Sequence, residues 1–382
     1  MRLVFLSNFY NHHQRPLSRA FERLTGHSFA FVATEKFSEE RRLMGWDPDE
    51  DAPFVIHCDG APAGDAAELV NDADVVIYGS APPEAVKERL RAGKPVFRYS
   101  ERLFKHGYDR RKRLPRVIKY YFLYGRHRSL YLLSAGAFAA ADYQKYGAFR
   151  GKSYKWGYFP EAKTYDIGEL MSAKRKNSVL WCGRFLDWKH PEAAVEVAKR
   201  LKSDGYSFSL EIIGSGEKGQ MLEESIKKYA LENEVKLLGA MTPDEVRAHM
   251  EKAEIFLFTS DRGEGWGAVL NESMNSGCAV VASHAAGAVP YLVKHGENGI
   301  VYRSGDTDGL YSAVRSLMDA PDRRRSLGER AYCTIRDTWN ADVAAERFLK
   351  LADELRAHGR CDLYPDGPCS AAEPFDDDWF TG

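Results

Sequence analysis

Glu254-Ile-Phe-Leu-Phe-Thr-Ser260 is a short, mostly apolar run, and residues 263–283 follow as Gly-Glu-Gly-Trp-Gly-Ala-Val-Leu-Asn-Glu-Ser-Met-Asn-Ser-Gly-Cys-Ala-Val-Val-Ala-Ser. The first run has the length and composition of a buried strand. Gly263, Gly265 and Gly267 then form a turn. A helix is expected from about Trp266 to Asn275, stopped by Gly277, and Ala279–Ala282 reads as the next strand.

Strand, glycine-rich turn, helix and strand make a βαβ unit. Its turn leaves unpaired backbone N–H groups at a helix N-terminus, where the positive end of the helix dipole also lies, so phosphate is attracted there. Two carboxylates belong to the same unit, Glu264 in the turn and Glu272 in the helix. Carboxylates repel phosphate, so their partners are expected to be hydroxyls of a sugar or ribose. Anion donors beside hydroxyl acceptors suit a nucleotide sugar.

Glu264 and Glu272 have seven residues between them. With the surrounding glycines and the later Asn298-Gly299-Ile-Val-Tyr-Arg-Ser-Gly-Asp306 run, the stretch resembles glycosyltransferase family four, the "group 1" type of retaining GT-B glycosyltransferase. The resemblance implies that Glu264 faces the donor sugar and Glu272 binds the ribose. It also implies that the amides of Gly265, Trp266, Gly267, Ala268 and Val269 hold the diphosphate and sugar. Gly183-Arg184-Phe185, after the strand Ser178–Cys182, and Lys189 are similar to the family's Gly-Arg and Lys pair, which neutralises the diphosphate. Fixed cations there stabilise the departing nucleoside diphosphate as it gains charge. Gly214 and Gly216 match a Gly-x-Gly at the nucleotide-bearing edge in the family.

The implied fold class is α/β: two Rossmann-like domains facing each other across a cleft. The 382-residue length fits two domains. The expected division is 1–165 as an acceptor-side domain and 177–340 as the nucleotide-sugar domain. A helix over 341–360 is expected to cross back, and an acidic tail over 361–382 to be loosely ordered. In the first half, strands are expected at 2–7, 28–34, 53–58, 74–80 and 95–99. Ligands of such sheets gather at the C-terminal strand ends, which nominates Asn8, Asn11, His12 and His13 for acceptor contact. The family's sugar-contacting His after a later strand is missing, because the segment reads Arg98-Tyr-Ser-Glu101-Arg102. The Glu of the family's Gly-Gly-x-x-Glu segment is likewise absent near Gly287.

Composition narrows the classes. Hydrophobic residues make up 44% and the formal net charge is -1, which speaks against a dedicated nucleic-acid binder. The six cysteines form no Cys-x-x-Cys pair and read as reduced thiols. Met1–Ser7 reads as a strand rather than a signal peptide, and no run approaches the roughly 20 apolar residues of a membrane span. A cytoplasmic protein is expected. Between Arg102 and Arg128 the chain is basic with interleaved tyrosines, a composition that suits either a solvated face or anionic lipid at the inner membrane surface. Asp47-Pro-Asp49 and Asp376–Asp378 lie in a proline-flanked loop and in the tail, so no metal site and no cofactor are expected, with the nucleotide sugar acting as substrate.

Gly214-Ser-Gly216-Glu-Lys-Gly219 also fits the dinucleotide fingerprint. The next strand, Val235–Leu238, lacks the acid that would hold the ribose, which disfavours NAD. Two further alternatives stay open: a sugar-nucleotide epimerase or hydrolase of the same fold, and a non-catalytic nucleotide-binding protein.

Overall fold

The computed structural model describes residues 1–36, 52–105, 107, 113–359 and 361–381. Asp47-Pro-Asp49 and the basic residues Arg110, Arg111 and Lys112 lie outside the described residues. The chain forms two units, Met1–Glu161 with Thr338–Asp376, and Ala162–Asp337 with Asp377–Gly382.

The first unit carries strands β1 (Leu3–Ser7), β2 (Phe29–Ala33), β3 (Val55–His57), β4 (Val75–Tyr78), β5 (Val96–Ser100), β6 (Leu130–Ala135) and β7 (Ser153–Trp156). They form one parallel sheet in the order β3-β2-β1-β4-β5-β6-β7. Helices α1 (Arg15–Leu24), α2 (Asp65–Asp72), α3 (Lys87–Arg91), α4 (Arg113–Tyr120) and α5 (Phe138–Gln144) connect or flank them. All residues of β1, β2, β4 and β6 are buried, as expected where helices cover both faces of a parallel sheet. The apolar run 129–141 resolves into β6 and the start of α5, divided at Gly136 with φ 105°.

The second unit contains β8 (Ser178–Cys182), β9 (Ser209–Ile213), β10 (Val235–Gly239), β11 (Ile255–Phe258), β12 (Ala279–Ser283) and β13 (Ile300–Tyr302). Its parallel order is β10-β9-β8-β11-β12-β13. Its helices are α6 (Ile167–Ser172), α7 (Pro191–Ser203), α8 (Gly219–Lys228), α9 (Pro243–Lys252), α10 (Ala268–Asn275), α11 (Val289–Leu292), α12 (Thr307–Met318) and α13 (Pro321–Asp337). The polar stretch before β8 contains α6, capped by the Asp166 carboxylate, which accepts from the Glu169 N–H at 3.0 Å.

The last helix, α14 (Ala341–His358), belongs to the first unit and packs on α1. Its buried residues Ala341, Ala344, Ala345, Phe348, Leu351, Ala352 and Leu355 form one stripe at helical spacing. Phe348 meets Phe21, Phe97 and Trp156 at centroid distances of 5.5, 4.9 and 5.7 Å. Burying such a ring contributes about 1.5–3 kcal/mol.

The tail corrects an expectation. Cys369 and Ser370 are buried, and the chain runs antiparallel to β7 at a Tyr154–Ala371 bridge. The Lys155 N–H donates to Ser370 at 2.8 Å, and the Ala372 N–H donates to Ser153 at 2.9 Å. Edge strand β7 would otherwise expose unpaired backbone groups, and the tail satisfies them. Acidic composition alone did not reveal this, because the pairing uses backbone.

Candidate active site

In each sheet the strand order reverses beside the first strand, between β1 and β4 in the first unit and between β8 and β11 in the second. Ligands of open α/β sheets bind outside the strand ends at such reversals.

In the second unit, the turn after β8 is Gly183-Arg184-Phe185, and it packs backbone to backbone on the loop after β9. The Gly183 N–H donates to Ile213 at 3.0 Å and the Phe185 N–H to Ser215 at 2.8 Å. Gly214 has φ +140°, and a Cβ there would lie 1.9 Å from the Gly183 carbonyl oxygen. The Gly-x-Gly motif therefore has a packing reason: it lets the two turns close on each other. The Arg184 side chain is left exposed, with no side-chain partner among the described residues.

Lys189 follows in a 3₁₀ turn, Asp187–Lys189, and its ammonium pairs with the Glu264 carboxylate from the loop after β11. The Ser260 hydroxyl also donates to Glu264, at 3.3 Å. That loop is fastened by its own backbone. The Glu264 N–H donates to the Asp261 carbonyl at 3.1 Å, the Gly263 N–H to the Asp261 carboxylate at 2.7 Å, and the Gly287 N–H to the Glu264 carbonyl at 3.2 Å.

Gly267, with φ +92°, is the N-cap of α10, and a Cβ there would lie 2.3 Å from the Phe258 ring. The helix therefore begins at Ala268, two residues later than the sequence spacing suggests. The Trp266 indole is wholly buried and donates to Asn271 at 2.9 Å, so only the Trp266 backbone is available to a ligand. The amides of Ala268 and Val269 donate to no acceptor among the described residues, as expected for a first helical turn.

Glu272 is half-buried, and its carboxylate accepts no hydrogen bond among the described residues. Burial pushes its carboxyl above the ordinary value against the opposing pull of Arg247. Cys182, at the end of β8, is pushed up to about 12 by burial and by the Glu272 charge, so it is a neutral thiol. A cavity of about 460 Å³ is lined in part by His190 and Asp261. Neither Glu264, Glu272, Lys189 nor Arg184 lines it.

In the first unit, a cavity of about 410 Å³ sits at the β1/β4 reversal. Asn8, Asn11 and His13 line it, whereas His12 does not and packs on His13 at 3.9 Å between centroids. Burial, then His12, lowers His13 to about 3, so its ring is neutral. The sequence missed Glu101 and Tyr158. The Tyr158 hydroxyl donates to Glu101 at 2.7 Å, and Lys105 pairs with the same carboxylate. The available signal is the segment Arg98-Tyr-Ser-Glu101-Arg102, whose acid follows the end of β5 directly.

Residues 164–334 match the family model described as "Glycosyl transferases group 1". The match covers less than half of the chain. AmsK of Erwinia amylovora, an amylovoran biosynthesis glycosyltransferase, is 27% identical over 182 residues, 46% of this chain and 44% of that protein. WcaL of Salmonella typhimurium, named for colanic acid biosynthesis, is 31% identical over 178 residues, 45% of this chain and 44% of that one. The chain thus spans less than half the length of these relatives. Among solved structures, Anabaena HepE in complex with UDP and glucose superposes with a TM-score of 0.68 at 16% identity, over 93% of this chain and 100% of that one. The overall architecture is accordingly the GT-B fold. The matched residues include Arg184, Lys189, Gly214, Gly216 and the whole run from Glu264 to Glu272; Asn8, His12, His13 and Glu101 fall outside them.

Proposed function

We propose that this chain is a retaining glycosyltransferase that moves a sugar from a nucleoside diphosphate sugar to a saccharide or lipid-linked acceptor, in the synthesis of bacterial cell-surface polysaccharide. The observation that carries it is the Lys189–Glu264 pair at the sheet reversal, beside the open first turn of α10. The names of AmsK and WcaL support the pathway, and UDP in HepE supports a uridine nucleotide.

In this reading Arg184, Lys189 and the α10 amides take the diphosphate, Glu272 the ribose hydroxyls, and Glu264 the donor sugar. The bond between the anomeric carbon and the β-phosphate oxygen breaks as the acceptor oxygen attaches on the same face. The acceptor's proton passes to the departing phosphate oxygen, so the step needs no protein base, and Arg184 and Lys189 offset the charge of the departing diphosphate in place of a metal. Among the described residues no group of three or more His, Cys, Asp or Glu is placed to hold a metal ion. The acceptor is assigned to the first unit's cavity, with Asn8, His13 and Glu101 facing its hydroxyls.

The work is assigned to the cytoplasm, at the inner membrane face. Among the described residues no helix is long and apolar enough to cross a membrane. Leu114, Ile118, Tyr121 and Phe122 are exposed by 71, 52, 53 and 55% and share one face of α4 and the turn that follows it. Lys119, Arg126 and Arg128 are exposed around them. Apolar residues ringed by cations suit an anionic lipid surface. Arg102 leaves the proposed surface: it is 5% exposed and ion-paired to buried Asp142 at 3.5 Å.

The first test is thermal shift with UDP- and GDP-sugars, since a ligand at about a hundred times its Kd adds about 2.7 kcal/mol of apparent stability. Absence of any shift removes the donor reading. Labelled UDP-sugar without acceptor then separates chemistries: slow hydrolysis fits a transferase, and turnover to an epimer overturns it.

A further inference from the structure

The turn that carries Lys189 and the loop that carries Glu264 are joined by more than that ion pair. The Asp261 N–H donates to the Trp188 carbonyl at 2.8 Å, and the Thr259 hydroxyl donates to the Lys189 carbonyl at 2.6 Å. Between them stands His190, in the left-handed region at φ 50° and ψ 53° and directly before Pro191. A bulky residue before proline is sterically opposed to helical backbone angles, and a left-handed non-glycine residue is strained. What holds it there is its ring. Nδ1 lies 3.1 Å from the Glu192 carboxylate of α7, and Nε2 lies 3.1 Å from the Asp261 carboxylate of the loop. Carboxylates only accept, so bonding both at once requires both ring nitrogens to carry protons.

We propose that imidazolium His190 is a positioning residue of the donor site, clamping the Lys189 turn to the Glu264 loop. The inference rests on reading Lys189 and Glu264 as donor-site residues. The charges around the ring are Asp187 and Lys189 in the turn, Glu192 and Glu196 on α7, Asp261 and Glu264 in the loop, Lys218 before α8 and Asp306 before α12. Lys218 reaches Asp187 and Glu192, both at 3.0 Å, and Lys189 is matched by Glu264, so the acids left facing His190 favour its charged form. The Glu192 and Asp261 bonds raise the His190 pKa above its ordinary value against the effect of burial. The clamp is therefore complete below that raised pKa and is lost as pH rises through it. His190 lines the 460 Å³ cavity, so solvent protons reach it.

His190→Asn keeps a residue tolerant of the left-handed region while removing the charge and one of the two bonds. In the full chain, nitrogen NMR should show both His190 ring nitrogens protonated at pH 7, with a midpoint above that of an ordinary histidine; a neutral ring at pH 7 overturns the proposal. Amide exchange at Gly263 and Glu264 should quicken about threefold or more in His190→Asn, and unchanged exchange overturns it. UDP affinity in the wild type should fall about fivefold as pH passes the midpoint. That step should vanish in His190→Asn, and its persistence there overturns the proposal. Glu264→Gln tests the underlying reading separately. Full transfer by that variant removes the donor site, whereas lost transfer there beside unaltered His190→Asn behaviour removes only the clamp.

Discussion

The two sheet reversals are built from different materials. In the second unit, turns closed by Gly183, Gly214 and Gly267 hold an exposed Arg184, a Lys189–Glu264 pair and a helix start. In the first unit, a cavity is lined by side chains whose charges are already neutral or engaged. His13 is uncharged, Glu101 is held by Tyr158 and Lys105, and Arg98 donates to the carbonyls of Tyr78 and Gly79. An exposed cation beside free amides selects an anion, whereas polar walls whose charges are neutral or engaged select an uncharged polyol. On the proposed reading, one reversal takes a diphosphate and the other a sugar hydroxyl.

The sharpest way to break this contrast is Glu264→Gln. Loss of about a hundredfold or more in transfer is expected, in line with removing one preorganised electrostatic partner. UDP affinity, measured by calorimetry, should hold or rise because Lys189 loses its competing carboxylate. Next comes Gly267→Ala, where a Cβ 2.3 Å from Phe258 adds to a left-handed backbone. A stability loss of about 2–3 kcal/mol is expected in urea melts. Arg184→Ala should weaken UDP about tenfold with an unchanged melting point, because this side chain supports no other part of the fold. In the first unit, Glu101→Gln should raise acceptor KM about tenfold while leaving UDP affinity alone. Equal effects of Glu101→Gln on both substrates would erase the division of labour.

What could be read from the sequence follows the same contrast. Glu264 and Glu272 are legible because glycines at fixed spacing flank them, and glycines mark a sequence strongly, whereas Arg184 and Lys189 are nominated by the family resemblance. In the first unit Gly79 marks the cavity, a Cβ there lying 2.7 Å from the Ser7 Oγ, but Glu101 and Tyr158 carry no such mark. Glu101 and Tyr158 meet only through β5 and the chain after β7, far apart in sequence and joined by one hydrogen bond. Strands of both sheets were legible as apolar runs. The tail's pairing with β7 was not, since backbone hydrogen bonds leave no signature in side-chain composition.

The smallest expected effect concerns α4, which belongs to the first unit. Leu114, Ile118, Tyr121 and Phe122 are four of the seven exposed large hydrophobic residues among the described residues, so the patch is a local concentration. Inserting one such side chain into a lipid interface contributes on the order of 1 kcal/mol, and each nearby cation about as much. Ile118→Glu removes an apolar contact and adds a like charge to the lipid's, so binding to vesicles containing phosphatidylserine should weaken about fivefold. UDP binding should not change, because α4 lies outside the residues that match the family model. If the wild type sediments equally with neutral and anionic vesicles, the face is not a lipid surface. If Ile118→Glu weakens UDP instead, the two units are not separable in the way their chemistry implies.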